Sequence, residues 1–357
     1  MQLTAPPIVP IPTSTTTEKD ILPASNIQAD AASVPTQHGS SLSAADFADL
    51  WVTPEGISYI RDSSTRYALA PFDSPDLPEF KKCLEKGYTG NSSYALQFDG
   101  CNYRIERVMT ITGVQYNCRK MPRFTPNVYE LGLPEMIVKQ LVSLGAEAGL
   151  ILLGGPTGMG KTTTASGLLF EFLKTNGGFA YTIEDPPEMP LDGLLKAENG
   201  GLGLCKQTSV ENENWSDCLK SALRSRPRYI LVGEIRTPET ASQTLRAATS
   251  GHLVISTIHA NSAEDALNSI VKYATAAGLQ ESLASDLLAR GILAVIHQKL
   301  EGTSVLRPEV HAVFANPNAL AADQMRVIIR DGKINLGTLM ESQSAKMMQG
   351  KPLFKEL

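Results

Sequence analysis

Residues 155–162 read Gly-Pro-Thr-Gly-Met-Gly-Lys-Thr, the spacing G-x-x-x-x-G-K-[ST]. That arrangement suits a phosphate. Glycines let successive backbone N–H groups turn inward, and a helix beginning at the loop offers its positive end to the anion. Lys161 then reaches the β- and γ-phosphates while the Thr162 hydroxyl coordinates Mg²⁺. Gly155, Pro156, Thr157, Gly158, Met159, Gly160, Lys161, Thr162 and the following Thr163 therefore form a candidate cradle for ATP.

Two acidic groups have the chemistry to complete such a site. Glu184-Asp185-Pro186-Pro187-Glu188 follows an apolar run, and its two prolines force a non-helical exit that holds the acids at the run's end. Glu234, in Gly233-Glu234-Ile235-Arg236, also closes an apolar run. A carboxylate there either holds Mg²⁺ through water or orients the attacking water. The sequence leaves open whether Glu184 or Glu234 is the base. His252 and His259 flank a third run, and neither a carboxylate nor a cysteine completes a metal-ligand set with them. A hydrogen-bonded structural histidine is the ordinary reading of either one; His259, at the run's carboxyl end, is also placed to sense a γ-phosphate.

The elements that position these residues follow from hydrophobic periodicity. Gly149–Leu153 reads as a buried strand, and Ala165, Leu168, Leu169, Phe172 and Leu173 fall on one face of a helix ending at Asn176-Gly177. Further strands at Phe179–Ile183, Ile230–Val232 and Leu253–Thr257 alternate with amphipathic helices. This implies an α/β domain with a largely parallel sheet and ligands at the carboxyl ends of its strands. After Val310–Phe314 the chain turns helical, and residues 318–357 read as a peripheral helical subdomain within a domain spanning 131–357.

Upstream, residues 1–42 are rich in Pro, Ser, Thr and Ala without periodicity and read as a flexible tail. Residues 43–121 read as a small α+β domain. Ser43 is placed to cap a short helix carrying Phe47, Leu50 and Trp51. Short strands at Ile57–Ile60 and Tyr67–Leu69 flank the turn Asp62-Ser63-Ser64, and a helix is expected over Leu77–Gly87. An antiparallel meander then turns at Asp99-Gly100 and Thr112-Gly113. Residues 122–130 read as a linker.

The length of 357 residues allows two ordinary domains, and 42% hydrophobic residues support sizeable cores. A net charge of −5 without a Lys/Arg cluster argues against free nucleic acid as a stable partner. No uninterrupted apolar stretch reaches membrane-spanning length. The first residues carry no Lys or Arg before Lys19 and no apolar core, which argues against a secretory signal. Five scattered cysteines, 83, 101, 118, 205 and 218, read as reduced structural residues.

Taken in order, these motifs resemble the secretion and pilus ATPase superfamily, the PilT-like and type IV secretion ATPases, over about residues 94–335. The elements carrying the resemblance are the loop Gly155–Thr162, the box Thr182-Ile183-Glu184-Asp185-Pro186, and Leu223-Arg224 ahead of Ile230–Arg236. Ser250-Gly251-His252-Leu253 through Thr257-Ile258-His259 completes them. Leu131-Gly132-Leu133-Pro134 and Arg330-Asp331-Gly332-Lys333 are similar too. The resemblance implies a PAS-like N-terminal domain, a RecA-like C-terminal domain and a homohexameric ring that hydrolyses ATP with Mg²⁺. Its partners would be inner-membrane secretion-machine components and a coupling complex, and its location cytoplasmic, peripherally associated with the inner membrane.

Carried over by motif, Glu234 is the Walker B glutamate and Glu184 a candidate base or water-orienting group, while His259 and His252 belong to a coupling box. Arg104, Arg119, Arg224 and Arg236 are candidates for contacting phosphates, in cis or from a neighbour. Arg226-Pro227-Arg228 stands where PilT-like members usually have Asp-Pro-Asp, and Thr237 replaces the usual acid after Arg236. Both departures lean toward DotB-like ATPases of Dot/Icm and conjugation systems. A pilus-retraction motor and a RecA-like nucleic-acid translocase are the alternatives.

Overall fold

The computed structural model describes residues 37–38, 40–61, 69–210, 214–302, 307–319 and 322–354. Two compact units emerge, one of residues 1–92 and 106–119, the other of 93–105 and 120–357. Most of the expected tail, the turn Asp62-Ser63-Ser64 and residues 67–68 lie outside the described residues.

The first sheet contains β1 (Gln37–His38), β2 (Asp49–Val52), β3 (Ser58–Arg61), β4 (Leu69–Asp73), β5 (Ser93–Phe98), β6 (Cys101–Thr110) and β7 (Gly113–Lys120). Their order is β1-β4-β3-β2-β7-β6-β5. Helix α1 (Leu77–Gly87) buries Leu77, Phe80 and Leu84, the i, i+3, i+7 stripe its sequence announces. The expected helix carrying Phe47, Leu50 and Trp51 does not form. Asp49–Val52 is instead strand β2, paired on one side with β3 and on the other with β7. Extended backbone lets Asp49 bind both flanking arginines, Arg61 and Arg119. Two ladders and that double ion pair outweigh a helical preference spread over a few residues.

The second unit runs through α2 (Glu135–Ser143), β8 (Gly149–Gly154), α3 (Lys161–Asn176), β9 (Gly178–Glu184), β10 (Gly193–Lys196) and β11 (Leu202–Ser209). It continues with α4 (Trp215–Arg224), β12 (Tyr229–Val232), α5 (Pro238–Ala248), β13 (Leu253–Ile258), α6 (Ala263–Ala276) and α7 (Glu281–Gly291). The last elements are β14 (Ile292–Glu301), β15 (Arg307–Phe314), α8 (Gln324–Arg330) and α9 (Gly337–Met348). The eight strands of its large sheet lie in the order β10-β11-β9-β12-β13-β8-β14-β15. Every pairing from β11 to β14 is parallel, and only the outermost strands run antiparallel.

Strands β8, β12 and β13 are buried along their whole length, as parallel strands covered on both faces must be. Alternation sends Leu150 and Leu152 into the core beneath α5 and α6, and Ile151 and Leu153 into the core shared with α3. The described residues of 318–357 join this packing. Met325, Ile329 and Leu336 enter the first core, and Met347 and Leu353 the second. All five cysteines are free thiols; burial chiefly, with the nearby acids Glu184 and Asp192, pushes Cys205 up to about 12.

Register fixes the place of the chemistry. Val232 lies opposite Ile183 on one side and Ser256 on the other, and Ile258 lies opposite Gly154. The carboxyl ends of β9, β12, β13 and β8 therefore share one edge of the sheet, and the acids, His259 and the glycine loop all follow those ends.

Candidate functional site

The loop between β8 and α3 turns on three glycines with positive φ: Gly155 at 152°, Gly158 at 75° and Gly160 at 76°. Side chains are disfavoured at such angles, and at Gly155 a Cβ would also stand 2.3 Å from the Gln298 carbonyl oxygen. Helix α3 starts at Lys161, so its N-terminal amides open onto the loop. Lys161 is 7% exposed, and its Nζ donates to the carbonyls of Gly155 and Pro156 at 2.8 Å each. Burial lowers its pKa from the ordinary lysine value, and the charge of Glu234 opposes that shift. Thr162 and Thr163 are half-buried in the first turn of α3.

Glu234 leaves the end of β12 with its side chain 15% exposed. Arg236 Nε donates to Glu234 Oε2 at 2.6 Å. His259 Nε2 lies 2.8 Å from Oε1, a close contact without hydrogen-bond geometry. The same imidazole nitrogen is 3.3 Å from Thr157 Oγ1. Thr157, His259, Glu234 and Arg236 thus form a continuous polar chain from the glycine loop across β13 to β12. With Lys161, it gathers anion-binding, acidic and proton-bearing groups at one sheet edge.

Glu184 sits differently. It is 2% exposed; its Oε1 accepts from Gln207 Nε2 at 2.9 Å, while Oε2 is buried with no hydrogen-bond partner among the described residues. Burial, the largest effect, raises its pKa above the ordinary carboxylate value. Gly233 presses on it: a Cβ there would stand 3.2 Å from Glu184 Cγ. Sequence reasoning missed Gln207, whose amide also donates to Met189 O at 2.7 Å and accepts from Leu191 N at 3.2 Å, tying the acidic loop to β11.

Other candidates are not brought into this cluster. His252 precedes β13, at the opposite end from His259, and its Nδ1 meets the Pro227 carbonyl at 2.6 Å. Arg224 is exposed at the last turn of α4. Arg104 lies 3.8 Å from Glu188, and Arg119 Nε donates to Asp49 Oδ1 at 2.9 Å within the first unit. The unusual Arg226-Pro227-Arg228 segment braces the fold. Arg228 Nη2 donates to Gly145 O at 3.0 Å and its guanidinium lies over the Tyr229 ring.

No cluster of three or more His, Cys, Asp or Glu suited to a metal exists among the described residues. The donors here are one threonine hydroxyl and one carboxylate, which fits Mg²⁺, an ion that takes few protein ligands and completes its shell with water and phosphate oxygens.

A largely parallel sheet sandwiched by helices with a glycine loop after its internal strand β8, in a chain that also carries a smaller α+β unit, defines a RecA-like domain with a PAS-like N-terminal domain. The match to the type II/IV secretion system protein family covers residues 90–345, and the chain belongs to that family, within its PilT-like and type IV secretion ATPase superfamily. It is 30% identical over 251 residues to a twitching motility protein of Neisseria gonorrhoeae, covering 69% of this chain and 63% of that protein. Its fold is similar to that of the pilus retraction motor PilT with bound ADP (TM-score 0.64, 23% identity, 93% and 91% of the two chains). It is also similar to the Legionella pneumophila ATPase DotB (TM-score 0.63, 19% identity, 86% and 89%).

Proposed function

We propose that this chain binds ATP with Mg²⁺ at the Gly155–Thr163 loop and hydrolyses it as a homohexamer. Domain motion driven by that hydrolysis would power a type IV secretion machine of the Dot/Icm-like or conjugative kind. The observation that carries the reading is the polar chain Thr157–His259–Glu234–Arg236 at the sheet edge where the Glu234 charge acts on Lys161. A phosphate in the loop would take its hydrogen bonds from backbone N–H groups, the α3 N-terminus and the Lys161 ammonium. Thr162 and Glu234 are the groups that would hold Mg²⁺, which neutralises phosphate charge when bound. Glu234 orients the attacking water, and His259, touching both Glu234 and Thr157, links that acid to the loop. Glu184 is the poorer base, because its burial favours the protonated form.

Arg226-Pro227-Arg228 and Thr237 support the secretion branch, and a 31% identity over 216 residues to the type IV pilus retraction ATPase PilT of Pseudomonas aeruginosa supports the pilus-retraction alternative. Action at the inner membrane would come from partner components and a coupling complex, since among the described residues no helix is long and apolar enough to cross a membrane. The cytoplasmic side is the proposed location. Two substitutions test the chemistry. Glu234→Gln is expected to keep ATP affinity and lower kcat on the order of 10²-fold, the scale for losing one preorganised group. Lys161→Ala is expected to abolish ATP binding in a fluorescence titration. Parent-like turnover in the first variant, or parent-like affinity in the second, overturns the reading.

A further inference from the structure

The loop's third glycine and its neighbours are held by a residue that no motif contains. Gln298 lies on β14, just beyond the stretch Ile292–His297 that pairs with β8, and is 2% exposed. Its Nε2 donates to the Met159 carbonyl at 2.7 Å. Its Oε1 accepts from Thr164 Oγ1, in the first turn of α3, at 2.9 Å. Two residues on, Leu300 N donates to Met159 Sδ at 3.3 Å. The Gln298 main chain occupies the space a side chain at 155 would need, and its Nε2 stands 3.0 Å from a Cβ at 160. One buried amide thus ties the middle of the loop to the start of the helix, with β14 behind both.

We propose that Gln298 is a positioning residue for phosphate binding, setting the direction of the loop N–H groups through Met159 and the pitch of α3 through Thr164. The proposal rests on the function proposed above. Its physical basis is the glycine content of the loop. Three residues with positive φ leave the chain many conformations, and ordering them costs more entropy than ordering any other residue type. A binding loop gains affinity when that ordering is done before the ligand arrives. Lys161 cannot do it alone, because its two loop contacts involve the same ammonium that a phosphate would attract. Gln298 uses no group a phosphate would take.

Because Gln298 acts through one bridge, its effects should be confined to phosphates and should not add to those of its partner. The test uses the full chain, with fluorescent ATP-analogue titration, competition by ADP and by adenosine, steady-state kinetics and thermal melting. Gln298→Met, of similar volume and without either hydrogen bond, is expected to weaken ATP and ADP about 10-fold and leave adenosine competition unchanged. Thr164→Val, which removes only the bond to Oε1, is expected to weaken ATP about threefold. The double variant is expected to bind ATP no worse than Gln298→Met alone, the signature of a shared interaction.

Equal losses for ATP, ADP and adenosine would mark a general structural role and overturn the proposal. So would parent-like ATP affinity in Gln298→Met, or full additivity of the two changes. If Gln298→Met fails to fold, Thr164→Val decides through the same ATP-to-adenosine comparison. Lys161→Ala separates the two readings: if it binds ATP as the parent does, the proposed site itself fails; if it loses binding while the Gln298 and Thr164 variants do not, only the positioning role fails.

Discussion

Glu184 and Glu234 are both acids at the ends of parallel strands, and burial divides them. Glu234 keeps a partly open carboxylate between Arg236 and His259, whereas Glu184 is enclosed with one oxygen unpartnered. A raised folded pKa means the native state holds the proton more tightly than the unfolded chain. Native stability contributed by this group is then present at low pH and lost as pH rises from the ordinary carboxylate value, 4.5, through the raised folded value. Glu184→Gln keeps the acceptor for Gln207 and removes the charge. It is expected to raise Tm relative to the parent at pH 8, with the gain shrinking toward pH 4.5. A constant difference across that range in pH-resolved melting would show that Glu184 is not held protonated by its surroundings. At this scale the sequence was most informative where chemistry dictates residue type: a phosphate loop requires Gly, Lys and Thr at set spacing. Gln207 and Gln298 escaped notice because an amide in a strand carries no period or motif; only the loop and helix partners that folding brings to it give it meaning.

At the scale of elements, Thr237 shows how a departure from a family pattern acquires a local cause. It stands where the family resemblance leads one to expect an acid, and it is the N-cap of α5, its side chain accepting from Thr240 N at 3.2 Å, with Pro238 beginning the helix. Thr237→Ala is expected to cost about 1 kcal/mol in denaturant unfolding, with Thr237→Asp near the parent, as capping oxygens of either kind serve the same orphan donor. An equal loss in both would assign Thr237 another role. Helices α1 and α3 and strands β8, β9, β12 and β13 were legible because their periods of 3.6 residues or unbroken apolar runs reflect the faces they bury. Strands β10 and β11 were not, since Leu194, Leu202 and Leu204 face outward on a sheet edge and break the apolar-in pattern. Strand β14 follows α7 directly, Gly291 being the last helical residue, so its apolar run merges with the helix before it. Residues 43–51 failed for the opposite reason: a capping residue and apolar spacing suggested a helix, while the pairing partners that decide the matter lie elsewhere in the chain.

At the scale of the whole molecule, the arginines separate by what they already bind. Arg236 is engaged by Glu234 of its own chain, Arg119 by Asp49, and Arg104 lies within ion-pairing distance of Glu188. Arg224, exposed on the last turn of α4 ahead of β12, is the candidate with reach away from its own protomer. A guanidinium supplied by a neighbour would stabilise charge on the transferring phosphoryl group without reorganising the protomer that holds the nucleotide. If Arg224 acts across the proposed hexamer, assembly becomes part of catalysis, and specific activity should rise with protein concentration through the range in which sedimentation detects self-association. A mixing experiment isolates the arginine. Lys161→Ala lacks the phosphate contact and retains Arg224; Arg224→Ala has the reverse defect; each alone is expected to be nearly inactive. Mixed in equal amounts before assembly, they create interfaces in which an intact loop faces an intact arginine. Activity should return to roughly a quarter of the parent value if each interface works independently and transition-state charge is met by a neighbour's arginine. Rings that remain as inactive as the two separate variants would place the action of Arg224 within its own chain.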